Sequence, residues 1–449
     1  MLNKRDPIEK QVKYAELKLA GFVAAHDESF LKMDHLTDVL KEIFPDSKIA
    51  AGLSLKRTKT KGLVTNVIGE TEKESLTISL KTTLFSILTD ESTDISAVKT
   101  SAVMVQFYDP EAGGIAVRHW DLEDVFTDDD PEGANIGATA EVLFKKLIDS
   151  FQSDKPTITM VHSKMVSAYQ DFLLMFVQRD FVMRSPLQDV NPSDASRHLP
   201  LGQLYIGVDA RAYLDRPDIA AQPHMVSGIL DRCRKFMVTL CLKMKEKYDF
   251  ADPVLSRMRL LLPEVAMSHR EREKTPSIAT LCLLLPRCVP REKVQAVDDE
   301  WRSLPLLSAD FPDDLKSIQE ADKFWHALLT YKTEYGEQPF KALPAFALAA
   351  LSLPMANAAC ERDFSKINNI KTKKRNKLIT PTVNGCLLAS QAVRKGEGCC
   401  VKFKPTDAMY AKMTSANVYR TARKQQRAED NTTEEVDLAS LFTFDDENM

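Results

Sequence analysis

The chain lacks several features that identify common classes of protein. It has eight cysteines, and none precedes Cys233. Because a zinc finger needs closely spaced cysteine and histidine ligands, the N-terminal half contains no such finger. The cysteines are scattered, and the opening MLNKRDPIEK has no apolar stretch like that of a secretory signal. We therefore expect an intracellular protein whose thiols are free.

Further absences narrow the possible functions. No apolar run approaches the ~18 residues that a membrane-spanning helix needs, so no membrane association is expected. The formal net charge is only −4, so any DNA contact must come from local basic patches. The chain contains no glycine-rich phosphate loop and no Ser-His-Asp signature. We predict no bound cofactor, no metal site and no small-molecule substrate.

The N-terminal segment, 1–76, is predicted to be helical. Apolar residues recur at helical spacing in two stretches, and Pro45 with Asp46 ends the second. The run from Leu55 to Gly62 is basic. It is either a solvated loop or a patch that contacts phosphates, and both interpretations remain open. Its candidate DNA-binding residues are Lys56, Arg57, Lys59 and Lys61.

Strand patterns follow in the segment 77–151. Three short apolar stretches begin at Leu84, Ser101 and Ile115, and short loops join them. This spacing predicts an antiparallel meander. An amphipathic helix is then predicted from Ala134 to Phe151.

The rest of the chain is predicted to be mostly helical, so the fold class is α+β with helices predominating. A proline-rich stretch, 276–312, is predicted to form loops and short turns. The last helix is expected to start with Thr380 as its N-cap and Pro381 at its first position. Residues 397–449 are predicted to be a largely disordered tail. The other predicted helices are His162–Phe176, Met225–Tyr248, Leu315–Tyr331, Leu343–Leu353 and Ala358–Ile367.

Two stretches carry a resemblance to the hAT superfamily of DNA transposases. FSILTDESTDIS (Phe85–Ser96) resembles the opening of the catalytic domain in these transposases and their domesticated relatives. Residues 351–393 resemble the C-terminal dimerisation region, and ANAACERDFS matches its Ser-Glu-Arg-x-Phe-Ser signature with Cys360 in place of serine. The resemblance covers roughly Tyr14–Val393. It implies an RNase H-like mixed sheet, a helical insertion at 152–335 and a helical dimerisation region at 336–396.

Catalysis in this family requires three carboxylates that hold two divalent ions. The resemblance implies that Asp90 is the first and Glu361 the third, with Arg362 as the signature arginine. Simpler interpretations of both residues remain open. Asp90 could be a carboxylate that caps the end of a strand, and Glu361 could be an exposed residue of an ordinary amphipathic helix. The motif that carries the second aspartate is missing, because after Phe151 the chain passes directly into the later helical region. Weak replacements are Asp129, Asp130, Asp154 and Asp209.

The missing block leads to a specific functional prediction. Two carboxylates cannot position two divalent ions, and loss of a ligand lowers the rate by orders of magnitude. We therefore predict a catalytically inactive, transposase-derived protein in which Asp90 and Glu361 are vestigial. The missing block would also have supplied a strand of the sheet, so the sheet is expected to be incomplete and to have an exposed edge.

The resemblance also implies partners: a homodimer, other nuclear proteins and weakly bound DNA, in a nuclear or nucleocytoplasmic location. The run KTKKRNK (371–377) is either a DNA contact, a nuclear import signal or a solvated loop. Its candidate DNA-binding residues are Lys371, Lys373, Lys374, Arg375 and Lys377. The apolar residues expected to be shared between the core and the dimer interface are Phe346, Leu348, Leu351, Leu353, Phe364, Val383, Leu387 and Leu388.

Two alternatives remain. The chain could be an active Mg²⁺-dependent transposase or nuclease that recruits an unrecognised second aspartate. It could also be a decayed transposon product that folds poorly and therefore lacks a cooperative unfolding transition.

Overall fold

The structure is a computed structural model that describes residues 7–93, 99–124, 158–354, 358–395 and 398–420. The chain divides into two compact units, and both are discontinuous in sequence. The first unit comprises Met1–Phe107, Ala116–Glu141 and Ala356–Met449, and the second comprises Tyr108–Ile115 and Val142–Met355. The region at 336–396 is therefore divided between the two units. The helix predicted at 134–151 lies outside the described residues.

The N-terminal part of the first unit is helical, as the spacing of its apolar residues predicts. Its helices are α1 (Ile8–Ala25), α2 (Met33–Ile43), α3 (Lys48–Gly52), α4 (Arg57–Gly62) and α5 (Glu70–Leu80). The segment Leu63–Gly69 is π-helical, so the chain stays helical from α4 through α5. The loop interpretation of the basic run is therefore wrong. The buried residues Thr60 and Gly62 hold this run against the core as a helix.

The sheet is the antiparallel meander that the sequence predicts. Its strands are β1 (Phe85–Thr93), β2 (Lys99–Asp109) and β3 (Gly114–Asp124), in the order β1-β2-β3. Phe85 pairs with Phe107, and Asp90 pairs with Ala102. Among the described residues no strand pairs with the outer edge of β1.

The second unit is built from helices. They are α6 (Ile158–Leu174), α7 (Arg179–Arg184), α8 (Val208–Leu214), α9 (Pro217–Ala220), α10 (Pro223–Lys247), α11 (Leu255–Met258), α12 (Pro263–Ala266), α13 (His269–Lys274), α14 (Ala279–Leu284), α15 (Val294–Leu307), α16 (Asp313–Lys316), α17 (Ala321–Thr330) and α18 (Ala342–Leu351). Short 3₁₀ turns, including Arg259–Leu261, lie between some of them.

Two predictions for this unit need correction. The proline-rich stretch contains α15, because Val297, Trp301 and Leu304 fall on one buried face and Pro305 comes only in its last turn. The single helix predicted at 315–331 is divided into α16 and α17, with non-helical residues at 317–320 between them.

The second unit has two separate apolar cores. One surrounds the fully buried rings of Trp301, Trp325 and Phe340. The other lies between α6 and α10 and includes Tyr169 and Met244. Because buried indole N–H groups need acceptors, Trp325 donates to the carbonyl of Leu261 at 2.8 Å.

The C-terminal helices return to the first unit. They are α19 (Ala358–Ile370), α20 (Thr380–Arg394), α21 (Asp407–Lys412) and α22 (Ser415–Val418). Residues 398–420 were expected to belong to a disordered tail, but Phe403, Met409 and Val418 are buried in the core of this unit. The N-cap of α20 is Ile379, so Thr380 is the first helical residue and its hydroxyl bonds to the carboxylate of Asp124.

The sheet has a helix against each face. On one face Val105, Phe107 and Trp120 pack with residues of α5. On the other face Leu88 and Met104 pack with residues of α19. Gly385 allows α20 to approach the π-helical segment, because a Cβ atom there would lie 2.6 Å from Thr65. Within the described ranges no helix is both long and apolar enough to cross a membrane.

Candidate functional site

Asp90 lies on β1, on the face of the sheet that packs against α19. Leu88, two residues earlier on the same face, belongs to the cluster that contains Ala359 and Cys360. Asp90 is half-buried, and its Oδ1 accepts the backbone N–H of Glu91 at 2.9 Å. The structure therefore presents this carboxylate beside the first turn of α19.

Glu361 lies in that first turn, and its side chain is exposed. The neighbouring Cys360 is fully buried, with its Sγ 3.9 Å from the carbonyl oxygen of Ala102, the residue that pairs with Asp90. Burial, together with the negative charges of Asp90, Asp363 and Glu361, raises the pKa of Cys360 to about 11. Asp90 and Glu361 are far apart in sequence, but both carboxylates lie close enough to Cys360 to affect the pKa of its thiol.

The candidates for the second aspartate do not join this pair among the described residues. Asp209 is in the second unit, in the first turn of α8. The stretch YIGVDA (205–210) around it has the apolar composition of a strand but forms none, because Gly207 adopts φ 89° and turns the chain into that helix. Asp129, Asp130 and Asp154 lie outside the described residues. Over the part of the chain that is described, no group of three His, Cys, Asp or Glu side chains could hold a metal ion.

A buried ion pair lies beside this site, and the sequence reasoning missed it. Nδ1 of His119, on β3, lies 2.7 Å from Oδ2 of Asp363, on α19, and both side chains are at most 2% exposed. Nε2 of His119 lies 2.7 Å from Oδ1 of Asn384, on α20. Lys366 contacts Oδ1 of Asp363 at 2.9 Å. One histidine thus connects a strand to two helices.

The contacts of Asn384 define the directions of the hydrogen bonds in this network. Its Nδ2 donates to Asp121, whose carboxylate only accepts, so its Oδ1 must accept from His119. Both ring nitrogens of His119 therefore face acceptors. Burial acts to raise the pKa of Asp363, but the hydrogen bond and charge of His119, with Lys366, hold it below its usual value.

The network stabilises the fold, and within the described residues both ring nitrogens of His119 and both carboxylate oxygens of Asp363 already have partners. The backbone N–H of His119 donates to Oε1 of Gln391 at 2.8 Å, so its backbone is fixed as well as its ring. The signal for this site was available in part. Asp363 falls on the same helical stripe as the buried residues Cys360, Ile367 and Ile370, and an acid on an apolar stripe indicates a buried partner.

The basic helix α4 is largely neutralised by carboxylates of its own unit. Lys56 pairs with Asp38 at 2.7 Å, and Arg57 pairs with Asp34. Hydrogen bonds from Lys56 and Arg57 lower the pKa of Asp38 and of Asp34, respectively.

Two further basic residues complete this run. Lys59 pairs at 2.7 Å with Glu16, which is 2% exposed. Lys61 is exposed and makes no ion pair among the described residues. Of the four DNA-binding candidates here, Lys61 alone therefore carries charge that no described carboxylate offsets.

The second basic run forms the loop between α19 and α20, and its members differ. Lys371 is buried. Arg375 donates to the carbonyl of Asp27 at 2.6 Å and lies 6.0 Å from the ring centre of Phe30. Lys373, Lys374 and Lys377 are exposed and form no ion pair with any described residue. These three ammonium groups are the cations that this loop offers to a ligand.

The apolar residues expected at a shared core and dimer interface lie mainly inside the chain's own cores. Phe346, Leu348 and Leu351 are buried in the second unit. Val383 and Leu387 are buried in the first unit, and Leu388 is only 3% exposed. Leu353 and Phe364 are half-buried. Little of this set is left on the surface for a second chain.

An exposed apolar patch lies instead at the edge of the sheet. It consists of Leu84, Phe85 and Ile87, which are 53%, 45% and 60% exposed. We name these three residues the β1 patch. Because β1 has no described partner on its outer edge, backbone hydrogen-bonding groups and apolar side chains are exposed together.

The fold and site define a mostly helical α+β protein with a small antiparallel sheet and one strand-borne aspartate beside a helix-borne glutamate. The sequence matches no protein-family model and no curated protein.

Proposed function

We propose that this chain is a catalytically inactive protein derived from an hAT-superfamily transposase, with an RNase H-like remnant, and that it acts as a dimer that binds other nuclear proteins. The packing of β1 against α19 carries the proposal, because it places Asp90 near Glu361 as that family's catalytic domain would. Two carboxylates on one side of a sheet are too few to hold two divalent ions in the geometry that an in-line displacement requires.

A cleavage assay tests the catalytic part of this proposal. The full chain, incubated with supercoiled plasmid and Mg²⁺ or Mn²⁺, is expected to cut DNA no faster than an Asp90→Asn, Glu361→Gln double variant. Metal-dependent cutting that the double variant loses would instead establish the nuclease alternative. A cooperative unfolding transition of the wild-type chain would exclude the decayed product.

Dimerisation is proposed to use the β1 patch and the outer edge of β1. A two-fold interface requires the same surface to complement itself, and an antiparallel pair of β1 strands meets this condition. The pairing would place the end with Asp90 and Glu91 near the Lys81 end of the second copy, so opposite charges would face each other. The apolar side chains at Phe85 and Ile87 would then be covered.

The change Ile87→Lys is expected to convert the dimer to a monomer. The new charge would lie within the covered patch, where desolvation opposes association. Light scattering of both proteins at matched concentration gives the mass. The control is Ile43→Lys, since Ile43 is similarly exposed, at 58%, in the same unit but lies outside the patch. Equal masses for the wild type and Ile87→Lys would contradict this interface.

Weak DNA binding is proposed to use Lys373, Lys374 and Lys377. Because these cations lack ion-pair partners among the described residues, they can displace counterions from phosphates. Replacing all three by glutamine is expected to reduce the slope of log affinity against log salt by about one per lysine. Fluorescence anisotropy with duplex DNA at several salt concentrations measures the slope.

The matched control for DNA binding is the Lys56→Gln, Arg57→Gln double variant. Its slope should change little, because Asp38 and Asp34 already offset both charges. A larger loss in this variant than in the triple variant would assign DNA contact to α4 instead of the loop.

A further inference from the structure

Two adjacent cysteines of the first unit, Cys399 and Cys400, lie at the C-terminal end of α1, and the proposed function does not use them. Both thiols are free; Cys399 is exposed and Cys400 is half-buried. Sγ of Cys400 lies 3.5 Å from Nε2 of His26, the residue that caps the end of α1. Because His26 is exposed, this contact is open to solvent. A nucleophilic sulfur and a base therefore meet at the surface of the unit.

The backbone around Cys400 is fixed, so its thiol is held beside the ring. Nζ of Lys18, on α1, donates to the carbonyls of Cys400 at 3.0 Å and of Phe403 at 2.8 Å, and also to that of Val401. Phe403 is buried in the core of the first unit. Gly21 makes room for it, because a Cβ atom at Gly21 would lie 3.0 Å from the ring of Phe403. The sulfur and the imidazole are therefore preorganised for proton transfer.

The charges at this end of α1 are mainly positive. The charged groups here are Lys18, Asp27, Glu28, Lys32, Lys366, Arg375 and Arg394. Burial lowers the pKa of the Lys18 ammonium, and Cys400 and Cys399 act to raise it, so both sulfurs lie within the field of that cation.

The two carboxylates among these groups are offset by cations. Burial raises the pKa of Asp27, and Arg394, Arg375 and Lys366 act to lower it. Glu28 pairs with Lys32. Electropositive, partly exposed surroundings of this kind favour the thiolate form of a cysteine. The partial negative charge at the C-terminus of α1 favours a proton on the ring of His26.

We propose that Cys400 is a nucleophilic thiol that reacts with small disulfides. The proton of the thiol passes to Nε2 of His26, and the sulfur of Cys400 attacks one sulfur of the disulfide. The S–S bond of the disulfide breaks, a new S–S bond joins the attacked sulfur to Cys400, and the other sulfur leaves as a thiolate. This chemistry depends neither on dimerisation nor on the carboxylates of Asp90 and Glu361.

The product is a mixed disulfide at Cys400 rather than a bond between the two cysteines. The Cα atoms of adjacent residues are about 3.8 Å apart, whereas disulfides usually join Cα atoms roughly 4.4–6.8 Å apart. A bond between Cys399 and Cys400 would therefore be strained. The small thiol stays attached until another thiolate removes it by the same exchange.

Kinetic titration of the full chain with dithiobis(nitrobenzoate), an aromatic disulfide that releases a coloured thiolate, tests this assignment. At about pH 7, Cys400 is expected to react roughly tenfold faster than Cys233. Cys233 is the matched thiol, because it is also half-buried and has no hydrogen-bond partner among the described residues. Cys400→Ser should abolish the fast reaction, and Cys399→Ser should retain it. Peptide mapping identifies the modified residue.

His26→Gln tests the role of the ring. It is expected to slow the reaction of Cys400 roughly fivefold at about pH 7 and to leave that of Cys233 unchanged. Above about pH 8.5, where ordinary thiols ionise without a base, the difference should largely disappear, whereas a merely structural effect would persist. The control is His35→Gln, since His35 is another exposed histidine of the first unit. Unfolding curves confirm that each variant is folded.

Three results would overturn the assignment. The first is a rate at Cys400 no higher than that at Cys233. The second is a fast reaction that persists in Cys400→Ser. The third is an equal rate at Cys400 in the wild type and in His26→Gln at about pH 7, which would show that the ring does not take the proton.

Discussion

The variant Asp363→Ala is expected to unfold with a free energy about 3–5 kcal/mol below that of the wild type, as when one partner of a buried ion pair is removed. The change leaves His119 without its acceptor, in a site where both side chains are at most 2% exposed. It also removes the acceptor of Lys366. The effect should be large because three elements, β3, α19 and α20, meet at this one histidine.

Glu361→Gln is the matched control, since Glu361 lies two residues earlier on the same helix and is exposed. It should change the free energy of unfolding by less than about 0.5 kcal/mol. Urea denaturation followed by circular dichroism measures both variants. Equal effects at the two positions would contradict the importance assigned to the buried pair.

The same ion pair has a consequence at acid pH. Because the pKa of Asp363 is lower in the folded protein than its ordinary value of 3.8, its carboxylate contributes stability at pH values above 3.8. That contribution is lost as pH falls through the lowered pKa. As pH decreases below 3.8, the free energy of unfolding should therefore fall less steeply in Asp363→Asn than in the wild type.

Leu387→Ala is expected to lower the free energy of unfolding by about 2–5 kcal/mol, as is usual for buried leucines. Leu387 is 3% exposed in the core that α20 shares with the N-terminal helices. The loss should be the same at every protein concentration, because the side chain is buried within one chain. A loss that shrinks as protein concentration rises would place Leu387 in an interface between chains.

Ile379→Ala is the control for Leu387→Ala. Ile379 precedes α20 as its N-cap and is 51% exposed, so little packing is lost on truncation. Its expected effect is within about 0.5 kcal/mol. Chemical denaturation at two protein concentrations measures both variants.

The sequence predicted the local elements of this fold well where their periodicity was strong. The three strands could be located because short apolar stretches ended in turn residues. That the basic run Arg57–Gly62 belongs to this helical segment could not be predicted, because the run is held as a helix by the burial of Thr60 and Gly62 against the core. The helix α15 was missed because proline composition was given more weight than the buried spacing of Val297, Trp301 and Leu304.

The candidate site was only partly predictable. A family resemblance pointed to Asp90 and Glu361, and the structure places them near one thiol, that of Cys360. The pair of His119 and Asp363 joins residues far apart in the chain, and no sequence spacing reports such a contact. The ion pairs of α4 could not be predicted either, because the sequence of a basic run does not show whether carboxylates of other helices pair with it.

Counting the Mn²⁺ ions that the full chain binds tests most directly the claim that its catalytic centre is incomplete. Unlike cleavage, this titration needs no knowledge of a DNA target. Calorimetry is expected to show no pair of tightly bound ions per chain and no difference between the wild type and Asp90→Asn. Two ions per chain in the wild type, with loss of binding in Asp90→Asn, would contradict the account and restore the nuclease alternative.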